Sequence, residues 1–111
     1  MMLEALWSVE FVSNLQGVGA GVAVLETGRI LGGDGQYYYV GSYRVENGTA
    51  FAEVEVTHYS GPPSSIFGLA KKFTLSLSGR PDRERFELHG NVVESPQLRI
   101  GLRLTRRAEL P

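Results

Sequence analysis

Hydrophobic and polar positions alternate with a period of two along most of this chain. Near its start, Trp7, Val9 and Phe11 alternate with Ser8 and Glu10, as in a strand with one buried face. The same alternation recurs along the sequence. It predicts about eight strands, within residues 4–13, 17–26, 29–31, 36–45, 49–59, 72–79, 85–92 and 98–105.

Turn signals separate these segments. Asn47-Gly48 is the strongest hairpin signal, because both residues tolerate a positive φ. Short links of this kind force neighbouring strands to run antiparallel. Eight strands in an open sheet would leave two exposed edges, so closure is favoured. The sequence therefore predicts an all-β fold, an antiparallel up-and-down barrel in one domain over residues 1–111.

One segment, Pro62–Lys72, breaks the alternation. Its two prolines are followed by Ser64 and Ser65, and serine is a favoured N-cap residue. The insert is therefore predicted to contain one short helix, the single helix of the chain. The pattern leaves open whether the insert is a lid or packing over one end of the barrel.

The stretch GRILGGDGQYYYVG combines glycines with three consecutive tyrosines. It is not a phosphate loop, because no Lys-Ser or Lys-Thr pair and no helix follow the glycines. Residues Gly32–Gly35 are instead predicted to form a hairpin turn. Tyr37, Tyr39 and Tyr43 share one strand face, whereas Tyr38 lies on the other. Three tyrosines on one face suit a packed core, a pocket or an interface, and packing is favoured.

Candidate chemistry along the chain is sparse. The chain has no cysteine, and its two histidines, His58 and His89, lie on separate predicted strands, so no metal site is expected. Glu53 and Glu55 share a strand face at roughly 7 Å, a separation seen in inverting glycosidases, but a solvated face is the favoured interpretation. No serine has a nucleophile elbow around it. We therefore expect neither an enzyme nor a cofactor.

Charge and hydropathy exclude further classes. The formal net charge is −1, which does not attract nucleic acid or an anionic membrane. The first residues, MMLEALWSVEF, do not resemble a secretory signal. No stretch approaches the roughly 18 apolar residues of a membrane helix. A bacterial-type, cytoplasmic protein is the expectation.

Three motifs carry a family resemblance. They are the strand from Trp7 to Asn14 (WSVEFVSN), the turn from Leu31 to Asp34 (LGGD) and the strand from Tyr39 to Gly41 (YVG). Together they resemble the negative regulators of type III secretion, the GrlR-like family. The resemblance implies a lipocalin-like barrel that forms a homodimer and acts by binding a regulator protein of transcription.

The same resemblance implies a partner-recognition loop with four alternating acidic residues in the family's type protein. The corresponding turn here, Glu46-Asn47-Gly48, has a single acid. It is the candidate recognition turn. The candidate pocket or interface residues are Trp7, Tyr37, Tyr39, Tyr43 and Phe51.

Two functional hypotheses follow. The first is a homodimeric regulatory protein, and the second is a carrier of a small apolar ligand, a barrel of calycin type. The faces of the strands distinguish them. An outer patch of Val12, Tyr38 and Phe51 around a filled barrel would indicate a protein interface. Tyrosines and histidines pointing inward around a void would indicate a ligand site.

Overall fold

The computed structural model describes residues 3–63, 65, 67 and 70–111. Within these residues, eight antiparallel strands follow one another in sequence order around a closed barrel, and the first strand pairs with the last. The strands are β1 Ala5–Ser13, β2 Val18–Glu26, β3 Arg29–Gly33, β4 Tyr37–Glu46, β5 Thr49–His58, β6 Lys72–Gly79, β7 Arg85–Val92 and β8 Arg99–Ala108. The predicted closed barrel is confirmed.

The period-two pattern decides which face of each strand is buried. On β5, Ala52, Val54 and Val56 are buried, whereas Glu53 and Glu55 between them are exposed. Consecutive side chains of a strand point to opposite faces of the sheet. The buried set of each strand therefore points into the barrel. The outer set is polar on β5, whereas β2, β3 and β4 carry apolar residues on the outer face as well.

One end of the barrel is closed by Trp7, which is fully buried. Its indole Nε1 donates a hydrogen bond to Leu3 O at 2.9 Å, and its ring meets Phe86 edge-on, with ring centroids 5.1 Å apart. The Arg106 guanidinium lies over the same ring, 5.6 Å from its centroid. The indole N–H, the one polar group of the side chain, thus has a hydrogen-bond partner although the residue is shielded from water.

The turn predicted at Gly32–Gly35 begins later than expected. Gly32 and Gly33 belong to β3, and Gly32 pairs with Ala23 on β2 and with Tyr39 on β4. A Cβ atom on Gly32 would meet Ala23 Cα at 2.7 Å. Glycine is needed here for close strand approach rather than for a turn.

The helix predicted in Pro62–Lys72 is wrong for the described residues, none of which is helical. Ser64, one of the two predicted N-caps, lies outside them. The Ser65 hydroxyl accepts a hydrogen bond from Phe67 N at 3.0 Å in a local turn. Phe67 then packs edge-on against Phe73 of the barrel, at 5.4 Å between centroids. Among the described residues, no helix long and apolar enough to cross a membrane occurs.

Candidate functional site

A cavity of about 470 Å³ occupies the interior of the barrel. All eight strands contribute to its wall, which is mainly aliphatic and includes Leu25, Val54, Leu75, Leu77, Leu88 and Ile100. Ala23, Ala50 and Ala52 take inward positions at which larger side chains would occupy the space. The volume falls among those of small-molecule sites, roughly 300–1,000 Å³.

The wall of the cavity has a gap in its strand pairing between β2 and the turn that joins β3 to β4. β3 is short and pairs only with the second half of β2, from Val22 opposite Gly33 to Glu26 opposite Arg29. The first half of β2, Val18–Gly21, has no strand partner on its β3 side. Residues 17–20 and 34–36 both line the cavity, and Val18 is 77% exposed. We call these two segments the portal. The missing ladder opens the barrel wall here.

Asp34 is the structural centre of the portal. Its Oδ1 accepts hydrogen bonds from the backbone N–H groups of Gln36 and Tyr37, both at 2.8 Å. Its Oδ2 accepts a hydrogen bond from the Tyr39 hydroxyl, with 2.5 Å between the oxygens. Its backbone carbonyl oxygen accepts one from the Tyr59 hydroxyl, with 2.6 Å between the oxygens. The three bonds to the carboxylate are charge-assisted and therefore strong. They hold the turn and the carboxylate in one arrangement.

Tyr39 reaches Asp34 because Gly21 has no side chain. A Cβ atom on Gly21 would lie 2.7 Å from the Tyr39 hydroxyl oxygen and 2.8 Å from Gly33 O. Burial raises the pKa of Tyr39 well above its ordinary value, and the hydrogen bond and negative charge of Asp34 raise it further. The hydroxyl therefore stays protonated and donates to the carboxylate.

Two other tyrosines line the cavity at opposite ends. The Tyr37 hydroxyl donates to Ala70 O at 2.6 Å, which fastens the insert to the barrel, and its ring stands edge-on to His58 at 5.5 Å. Tyr43 lies toward the end closed by Trp7, where burial raises the pKa of its hydroxyl. The tyrosine face thus lines the pocket along its length.

The five candidate pocket or interface residues do not form one site. Tyr37, Tyr39 and Tyr43 meet around the cavity. Trp7 closes the barrel end beyond it, as described above. Phe51 faces outward beneath the Arg44 guanidinium, 4.8 Å from its ring centroid.

The remaining candidates lie apart from the cavity. The turn at Glu46, Asn47 and Gly48 is exposed, and the Glu46 carboxylate pairs with Arg44 at 2.8 Å. His58 Nε2 lies 2.6 Å from Gly61 O. The other histidine, His89, is exposed on the outer face of β7.

Sequence reasoning missed Asp34 as a site residue. It was assigned only to a turn, and its carboxylate faces the cavity because the turn starts after Gly33. Its position three residues before Tyr37 and five before Tyr39 is compatible with both hydrogen bonds. Such spacing is too common in turns to have indicated a site.

The outer face of β2, β3 and β4 carries a contiguous apolar surface. Leu31 pairs with Val24 on one side and Val40 on the other, and Val22 and Tyr38 flank them in the next row. Leu31, Val40 and Tyr38 are 45–47% exposed. We call Val22, Val24, Leu31, Tyr38 and Val40 the outer patch. Only Tyr38 belongs to the outer set expected from the sequence.

Among the described residues, no group of three or more His, Asp or Glu side chains gathers where a metal ion could be held. The chain matches no protein-family model and no curated protein.

Proposed function

We propose that this chain is a non-enzymatic binding protein that holds one small, mostly apolar molecule inside its barrel. The observation that carries the proposal is the 470 Å³ cavity with an aliphatic wall and a side portal. An apolar ligand that enters such a pocket loses its contact with water, which is the main favourable term in binding. The hydrogen-bonded groups at the portal would orient its polar end.

Fluorescence titration with the neutral apolar probe N-phenyl-1-naphthylamine tests this function. Trp7 is the single tryptophan of the chain, so energy transfer from its indole reports a probe inside or close to the barrel. We expect saturation at one probe per chain. Ala52→Leu places a larger side chain in the cavity and should abolish the signal, while Ala50→Leu serves as an independent second variant.

The outer patch provides a control, because an apolar probe also adsorbs to exposed apolar surface. Val40→Glu removes the apolar character of the patch without touching the cavity. This variant should bind the probe as the unaltered protein does. Loss of probe binding in Val40→Glu, with binding retained in Ala52→Leu, would assign the probe to the surface and sink the proposal.

A second candidate function, homodimerisation, is favoured by the outer patch. Its rim carries both signs of charge, with Glu26 and Arg29 paired at 3.6 Å and Glu55 and Lys72 at 3.9 Å. A rim with both signs of charge favours neither a strongly basic nor a strongly acidic partner. A second copy related by a two-fold axis can place its positive side chains opposite the negative ones of the first copy, and its apolar patch has the same area. We therefore propose a second copy of this chain as the occupant.

Analytical ultracentrifugation at micromolar concentration tests the dimer. Val40→Glu buries a charge in the proposed interface and should give a monomer. Val93→Glu is the matched control, because Val93 and Val40 are both 47% exposed but only Val40 belongs to the outer patch. A monomer in the unaltered protein, or dimers in both variants, would reject this interface.

The regulatory role implied by the resemblance remains a prediction. The exposed turn at Glu46–Gly48 is its candidate contact, but the Arg44 side chain pairs with the one acid there. A regulator protein as partner, the type III secretion pathway and a cytoplasmic location rest on the sequence motifs and composition. Native mass spectrometry of the protein captured from its host would identify a bound polypeptide or a bound small molecule by its added mass.

A further inference from the structure

Three side chains at or beside the portal, Asp34, Tyr37 and Tyr39, have oxygens that can accept hydrogen bonds from a ligand, while the Gln36 amide in the same lining can donate as well as accept. The Tyr39 hydroxyl donates a hydrogen bond to Asp34 Oδ2, so the lone pairs on its oxygen remain available as acceptors. The Asp34 carboxylate accepts three hydrogen bonds in total, while a carboxylate has about four acceptor positions. The Tyr37 hydroxyl likewise donates its hydrogen bond to Ala70 O. A ligand group that reaches these oxygens has to be a donor.

The charge at the portal has one sign. Asp34 is the one charged side chain among the described residues that line the cavity, and none of them is Lys, Arg or His. Asp34 is half-buried, with the aliphatic wall on one side and the opening on the other, so solvent screens its charge only partly. A ligand carboxylate next to Asp34 would be repelled, an ammonium group would be attracted, and a hydroxyl group would donate a hydrogen bond without a charge penalty.

We infer that the barrel takes apolar molecules whose polar end is an alcohol or an amine, and that it discriminates against those ending in a carboxylate. This inference rests on the proposed ligand-binding function and names its ligand class. The apolar tail occupies the space beside Ala50 and Ala52. The polar end lies at the portal, within reach of Asp34 and Tyr39.

Competition within a matched series tests the inference. Decan-1-ol, decylamine and decanoate share a ten-carbon chain and differ in the polar end. Each is titrated at pH 7 against the barrel loaded with N-phenyl-1-naphthylamine. We expect decan-1-ol and decylamine to displace the probe at concentrations about tenfold lower than decanoate, which corresponds to about 1.4 kcal/mol.

Asp34→Asn tests whether the charge of Asp34 causes the discrimination against decanoate. The asparagine oxygen still accepts the two turn N–H groups, while an amide donor replaces the charged oxygen. The disadvantage of decanoate should shrink to less than about threefold. Glu53→Gln is the matched control, since it removes one negative charge from the outer face, and it should keep the full discrimination.

A second variant covers the case in which Asp34→Asn does not fold. Tyr39→Phe retains the Asp34 charge and frees Asp34 Oδ2 from its hydrogen bond to Tyr39, so decanoate should still need about tenfold higher concentrations than decan-1-ol to displace the probe. Thermal unfolding of each variant establishes that it is folded.

The possible outcomes distinguish failure of the ligand selectivity from failure of the proposed ligand-binding function. Absence of probe binding by the unaltered protein would end the proposed function itself. Probe binding with equal displacement by decanoate and decan-1-ol would overturn the selectivity alone. Discrimination that persists unchanged in Asp34→Asn would also overturn it, because another group would then be the cause.

Discussion

Tyr39 combines a buried ring with a hydroxyl that has one fixed partner. Tyr39 is only 9% exposed, and its hydroxyl donates a hydrogen bond to Asp34 Oδ2. Burial is the first cause that raises its pKa, and Asp34 adds to it. The unfolded chain offers neither, so the hydroxyl titrates there near its ordinary value of 10.0. This difference couples the folding of the barrel to alkaline pH.

The coupling has a definite sign. The folded state keeps the Tyr39 proton at a pH where the unfolded chain loses it. The contribution of Tyr39 to stability is therefore complete below pH 10 and declines progressively as the pH rises towards the higher pKa of the folded state. We expect the free energy of unfolding to fall above pH 10 by about 1.4 kcal/mol per pH unit from this group. Urea titrations at pH 8 to 11 measure the slope.

Tyr39→Phe should remove that part of the slope. At neutral pH it should cost about 1.5–3 kcal/mol, because a hydrogen bond to a charged group is lost. Tyr43 also has a raised pKa, so some alkaline slope remains. Tyr38→Phe is the control, because its ring lies on the outer face. An unchanged slope in Tyr39→Phe would show that the hydroxyl proton is not held as described.

At the scale of elements, the β4–β5 hairpin is the longest ladder of the barrel. It pairs ten residues with ten, from Tyr37 and His58 to Glu46 and Thr49. Asn47 and Gly48 join the two strands with φ of 52° and 79°. Positive φ at both central residues is the geometry whose twist matches that of the strands. The turn therefore sets the register of the tyrosine face.

Gly48→Ala should destabilise the barrel by about 1 kcal/mol, because a Cβ atom disfavours the left-handed backbone region. Gly35→Ala is a matched control. A Cβ atom at either glycine meets nothing within 4 Å, but only Gly48 has a positive φ. Gly35→Ala should thus leave the free energy of unfolding within about 0.5 kcal/mol. Equal effects in urea titrations of the two variants would refute the backbone explanation.

At the scale of the whole molecule, the hollow interior lowers the stability of the empty barrel but leaves room for a ligand. Inward residues of eight strands leave about 470 Å³ unfilled, whereas protein interiors are otherwise close-packed. The lining therefore lacks contacts that a bound molecule would supply. A ligand at one hundred times its dissociation constant stabilises the folded state by about 2.7 kcal/mol.

Ala52→Leu should raise the free energy of unfolding of the empty barrel by about 1 kcal/mol, because it fills existing space. Its thermal midpoint should no longer respond to added decan-1-ol. Ala5→Leu is the contrasting variant: Ala5 is fully buried outside the cavity lining, so overpacking should cost about 1–3 kcal/mol. Differential scanning calorimetry with and without decan-1-ol distinguishes them, and destabilisation by both changes would mean that Ala52 borders no usable space.

The amino-acid sequence by itself determined the barrel. Alternation with a period of two is a local property, and it marks the buried face of a strand such as β5 without knowledge of its neighbours. Short links and the need to remove sheet edges then lead to closure. The placement of Tyr37, Tyr39 and Tyr43 on one face followed from the same parity.

Tertiary structure decided the site. The cavity is the volume left by side chains of eight strands together, and no segment encodes it alone. β3 ends at Gly33, which pairs with Val22, so β2 has no partner on that side before Val22. Asp34, the residue after Gly33, therefore lies at the portal. In Pro62–Lys72, packing of Phe67 on Phe73 prevailed over the local capping signal. Tertiary packing routinely overrides local helix propensity, which is a weak preference.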